Sequence, residues 1–71
     1  MGVPARLTGM QRKFAELVVM YEGRKFDYEC AIEAGYEPNN ARPMASRLQN
    51  PEYSPLVVQY IGELREECRN S

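Results

Sequence analysis

The polar side chains with the most chemistry to offer stand in one short stretch: Asn39, Asn40, Arg42, Ser46 and Arg47. Arg42 and Ser46 are one helical turn apart, so on a helix they share a face. A guanidinium presents its donors in a fork that matches the O6 and N7 edge of guanine, a contact worth roughly 1–3 kcal/mol of discrimination. A serine hydroxyl accepts from or donates to either kind of base edge. Arg47, on the flank, suits a phosphate, as do Arg12, Lys13 and Arg6 upstream. Asn39 or Asn40 could reach a base or a phosphate. Catalysis has no comparable footing. The chain has no histidine, no phosphate-binding glycine loop and no nucleophile paired with a base. No enzymatic activity and no cofactor are expected. Two cysteines, Cys30 and Cys68, are too few for a disulfide scaffold, and without histidine they make no zinc ligand set.

Those groups need a helix to carry them. Over roughly 41–49, Ala41, Met44, Ala45 and Leu48 fall on one face. Arg42, Pro43, Ser46 and Asn50 fall on the other, with Arg47 and Gln49 on the flanks. Pro43 lies in the first turn, where a missing N–H costs little, and Asn50-Pro51 ends the helix. Pro38-Asn39-Asn40 is a turn and cap signal. Either asparagine could cap the helix, a role that competes with base reading.

A preceding helix over roughly 28–34, capped by Asp27, has a thin inner face of Cys30, Ala31 and Ala34. Small residues there let another helix approach closely. Gly35 takes a left-handed conformation cheaply and stops this helix; Tyr36 follows as a turn anchor. The window 27–46 places Cys30, Ala31, Ala34, Gly35, Tyr36, Ala41 and Met44 where a helix-turn-helix needs small, apolar or glycine residues. That motif sets its second helix on an exposed edge, able to enter the DNA major groove.

Two further helices complete the unit. Thr8 and Gln11 form a capping box for a helix over 9–22. Its inner face is Met10, Phe14, Leu17, Val18 and Tyr21, and Gly23 is a plausible stop. Ser54-Pro55 opens a last helix with the apolar stripe Val57, Tyr60, Ile61, Leu64 and Cys68. The expected fold is all-α, a small bundle of about four helices containing a helix-turn-helix. Residues 1–6 form an N-terminal arm, 7–51 the DNA-binding domain, and 52–71 a C-terminal helix that starts an oligomerisation region. Cys30 belongs to the core, and Tyr53 and Tyr60 to packing or a partner surface. No apolar run reaches the length of a membrane span and no signal peptide is visible at Met1, so the cytoplasm is the expected location.

The 71 residues carry a formal net charge of −1, which by itself argues against nucleic acid. The charge is unevenly spread. Residues 1–25 sum to +3, 26–37 to −4, 38–51 to +2 and 52–71 to −2. The basic groups fall on the first and third helices, the acids on the second helix and the tail.

Leu7-Thr8, Gln11, Phe14, Tyr21, Ala31-Ile32, Ala34-Gly35-Tyr36, Ala41, Ser46-Arg47-Leu48 and Asn50-Pro51 follow one another at nearly regular spacing. This pattern resembles the N-terminal domain of tailed-phage terminase small subunits, over most of residues 7–51. The resemblance implies a DNA-packaging role in the host cytoplasm. Such subunits recognise double-stranded viral DNA, assemble as homo-oligomeric rings, and regulate a large subunit that holds the ATPase and nuclease. Three residues or groups depart from the pattern. Glu37 stands where the family has serine or a similar residue. Phe26-Asp27-Tyr28 replaces a helix start of the Asn-x-Thr type. Pro43 interrupts the outward face of the third helix. Family members continue beyond the last helix, so the resemblance leaves open whether the chain is full-length or an excised domain, monomeric by itself.

Other readings stay open. Arg47 could pair with Glu33, and Arg12 and Lys13 could be only a solvated helix face. A helical protein-interaction module would use the acidic second helix and tail, with Val57, Ile61 and Leu64 facing a partner. A phage transcription regulator would use the same helix-turn-helix.

Overall fold

The computed structural model describes residues 7–70. The expected N-terminal arm, with Arg6, lies outside the described residues. Four α-helices follow in order: α1 Gly9–Met20, α2 Asp27–Ala34, α3 Ala41–Leu48 and α4 Pro55–Asn70. Among the described residues there is no strand.

The start of α1 is the expected capping box. The Thr8 N–H donates to Gln11 Oε1 at 3.0 Å and the Gln11 N–H to Thr8 Oγ1 at 3.1 Å. The helix ends at Met20, short of the expected 22. The Tyr21 carbonyl accepts from the N–H groups of Arg24 and Lys25 at 2.8 and 3.1 Å, closing a turn. Gly23, at φ 81°, serves that turn rather than the helix end.

The cap of α2 is Phe26, not Asp27. The Glu29 carboxylate reaches back to the Phe26 N–H at 3.0 Å. This draws Asp27 into the first turn, where its charge complements the helix dipole. The far end is a Schellman closure. The Tyr36 N–H donates to the Ala31 carbonyl and the Gly35 N–H to the Ile32 carbonyl, both at 3.0 Å, with Gly35 at φ 116°. Gly35 is thus the stop that the sequence predicts.

A short 3₁₀ turn, Pro38–Asn40, leads directly into α3. Asn40 stands at the cap position but its side chain makes no capping bond. The backbone does the work instead: the Glu37 and Pro38 carbonyls accept from the N–H groups of Asn40 and Ala41. Beyond α3, Asn50 Oδ1 accepts from the Glu52 N–H at 2.9 Å, turning the chain towards α4.

Helix α1 is central, packing against α2 on one side and α4 on the other, while α3 packs against α2. The core joins Phe14, Ala15, Leu17 and Val18 of α1 to Cys30 and Ala31, to Ala41, Ala45 and Leu48, and to Val57 and Ile61. No buried polar or charged residue is found among the described residues. Ala31, Ala41 and Ala45 put almost no side-chain bulk between α2 and α3, so the outward face of α3 is held by close backbone approach. Tyr60 donates to Glu16 at 3.1 Å, and Arg65 forks onto Glu22 at 3.3 and 2.6 Å, fastening α4 to α1 and the turn after it. Cys68, expected in the apolar stripe of α4, is exposed.

Candidate nucleic-acid interface

The outward face of α3 is built as its periodicity predicts. Ala41, Ala45 and Leu48 are buried, whereas Arg42, Pro43, Ser46 and Arg47 are exposed. Arg42, Ser46 and Gln49 line one wall of an open groove of about 510 Å³. The other wall is the start of α2: Phe26, Asp27 and Tyr28.

Three of these side chains form a stack. The Phe26 and Tyr28 rings lie 5.7 Å apart between centroids and within 12° of parallel. The Arg42 guanidinium carbon sits 4.4 Å from the Tyr28 ring centroid. The ring's quadrupole attracts a cation over its face. The Arg42 guanidinium makes no hydrogen bond or ion pair among the described residues, so its donors are available to a ligand. Phe26 is 68% exposed, high for a phenylalanine.

The groove offers a mixed set of hydrogen-bonding groups. Arg42 donates, Asp27 accepts, and Ser46 and Gln49 do both. A phosphate channel would want donors only, and an acid in it would repel the ligand. Base edges present donors and acceptors together, and arginine to guanine, glutamine to adenine and aspartate to cytosine are the pairings that geometry favours.

The remaining expected contacts lie outside this groove. Arg47 is exposed and makes no ion pair among the described residues. The alternative pairing with Glu33 is not formed, because Glu33 takes Lys25 instead. That carboxylate holds the Lys25 ammonium above its ordinary pKa. Asn39 and Asn40 are exposed on the 3₁₀ turn. Arg12 and Lys13 are exposed on α1, on the side away from Phe14, Leu17 and Val18. The Arg12 charge reaches Tyr60 of α4, and neither residue lines the groove.

Phe26, Tyr28, Asp27 and Gln49 are the groove residues that sequence reasoning missed. A signal existed. Phe26 and Tyr28 fall off the Cys30–Ala31–Ala34 face; Tyr28 is half-buried against the edge of the core, whereas the Phe26 ring is left out of it. Among the described residues no group of acids and cysteines could hold a metal ion, and no helix is long and apolar enough to cross a membrane. Comparison with known proteins finds no matching family model, no matching curated protein and no matching solved structure.

Proposed function

We propose that this chain is a double-stranded DNA-binding module of the terminase small-subunit type, reading base edges with α3. The observation that carries this reading is the groove between α2 and α3. It sets Arg42 and Ser46 on an exposed helix face, with Gln49 at the helix end and an acceptor, Asp27, beside them. The terminase-like pattern of residues 7–51 supports the packaging role in particular. In this reading Arg42 and Ser46 meet bases, while Arg47 and the turn asparagines meet the backbone. In this reading the protein works as a ring with a large packaging subunit. With few cations near α3 and a net charge of −1, one copy binds weakly, and several copies together supply the affinity.

The test is a titration of isotope-labelled protein with a 20-base-pair duplex, followed residue by residue at two salt concentrations. Shifts are expected in α3 and at Phe26–Tyr28. If about three phosphates are neutralised, affinity should fall about 40-fold between about 50 and 200 mM salt. Absence of any shift in α3 at the lower salt would overturn the reading. Shifts confined to α4 on adding a protein partner would favour the interaction-module alternative.

A further inference from the structure

We infer that Tyr28, backed by Phe26, is a positioning residue that presets Arg42 for one base of the duplex and so determines specificity there. This rests on the DNA-binding reading above. A lone exposed arginine on a helix samples many rotamers and must freeze one of them to form a bidentate contact. Here the guanidinium is already held, 4.4 Å over the Tyr28 ring. The ring is itself braced by Phe26, parallel to within 12°. The Phe26 backbone is fixed at the start of α2 by the bond from its N–H to Glu29. The Arg42 side chain therefore takes its direction from two helices: α3 carries it and α2 aims it. Such an arrangement explains why a phenylalanine 68% exposed stands at this point. Its ring extends the stack rather than filling the core.

No hydrogen bond among the described residues uses the Arg42 donors, and the donors and acceptors around it continue the row of base-reading groups. Ser46 lies one turn further along α3, and Asp27 lies across the groove. Tyr28 is also half-buried against the core, so leucine keeps apolar bulk there while the loss of the aromatic face leaves the charge of Arg42 in place and removes its direction. Affinity for unrelated duplex then stays, and the added affinity for a duplex with guanine at that one position falls.

The experiment selects preferred duplexes from a randomised 20-base-pair pool with the wild-type protein. It then measures each variant on the selected duplex and on the same duplex with the guanine replaced. Tyr28→Leu should lose about two- to fivefold of the discrimination, the worth of an exposed cation–π contact. Affinity for unrelated duplex and the salt slope should not change. Tyr28→Phe, which keeps the ring, should restore the preference. Arg42→Gln, which removes the charge and the fork that prefers guanine, should lose the guanine preference at the same position. An independent readout needs no variant: the Arg42 side-chain protons of the free wild-type protein should show an upfield ring-current shift. Full discrimination in Tyr28→Leu, or no ring-current shift, would overturn the inference while leaving DNA binding intact. Failure of the wild-type protein to bind any duplex would overturn the reading beneath it as well.

Discussion

Arg42 and Arg47 stand on the same short helix, yet their surroundings assign them different work. Arg42 is stacked on Tyr28 and lines the groove. Arg47 is exposed and outside it. In the DNA-binding reading, Arg42→Ala should relax sequence preference by about 1–3 kcal/mol at one position. Arg47→Ala should weaken all duplexes similarly and lower the salt slope by about one. Competition binding with matched and unmatched duplexes separates them, and identical behaviour would sink the division. The outward direction of Arg42 and Ser46 was legible in the sequence, because the spacing of Ala41, Ala45 and Leu48 fixes the helix phase. The contact with Tyr28 was not. It joins residues on different helices, and no local period encodes a pairing across a turn.

At the scale of elements, short-range polar chemistry was the easiest part to read. The Thr8–Gln11 box and the Gly35 stop act within a few residues and form as expected. The Asp27 and asparagine caps did not form: the Phe26 carbonyl accepts from the Glu29 and Cys30 N–H groups that an Asp27 cap would need, and the Glu37 and Pro38 carbonyls accept from those of Asn40 and Ala41. Gly35 can be tested cleanly. A Cβ there would meet Met10 Cγ at 3.6 Å, an ordinary contact, so the obstacle to a larger residue is φ 116° alone. Gly35→Ala should cost about 1–3 kcal/mol of stability by urea unfolding. A D-alanine introduced at the same position by chemical synthesis should cost far less. An equal loss for both would mean that space, not backbone conformation, requires the glycine.

The whole molecule rests on a small core that is short of bulk. Four of its buried residues are alanines: Ala15, Ala31, Ala41 and Ala45. A chain of this size is typically stable by roughly 4–11 kcal/mol, so modest perturbations are visible. Alkaline pH is one. Burial raises the Cys30 thiol above its ordinary 9.0, and raises Tyr36 and Tyr60 above 10.0, where Glu16 adds to the effect on Tyr60 and a Thr8 hydrogen bond opposes it on Tyr36. Each group keeps its proton in the folded state at a pH where the unfolded chain has begun to lose it. The unfolded state then binds fewer protons, and stability falls as pH rises. The urea midpoint should be insensitive to these three groups below about pH 8 and should decline as pH rises through 9.0 and then 10.0. A midpoint that rises over that interval would contradict the assignment. The bundle itself was legible from four amphipathic stretches. The groove was not, because it exists only once α2 and α3 are side by side.

The placement of Cys30 has a kinetic consequence. Its sulfur is sealed among the helices at 1% exposure, while Cys68 is exposed on α4. A thiol-alkylating reagent should therefore modify Cys68 at once and reach Cys30 only during rare openings, slower by about 10³-fold or more. The lag is a clock for the domain's breathing, read by mass spectrometry with no engineered label. A duplex that binds only the closed form must lengthen it by the factor 1 + [duplex]/Kd. Time to modification would then report DNA binding too weak to survive a gel.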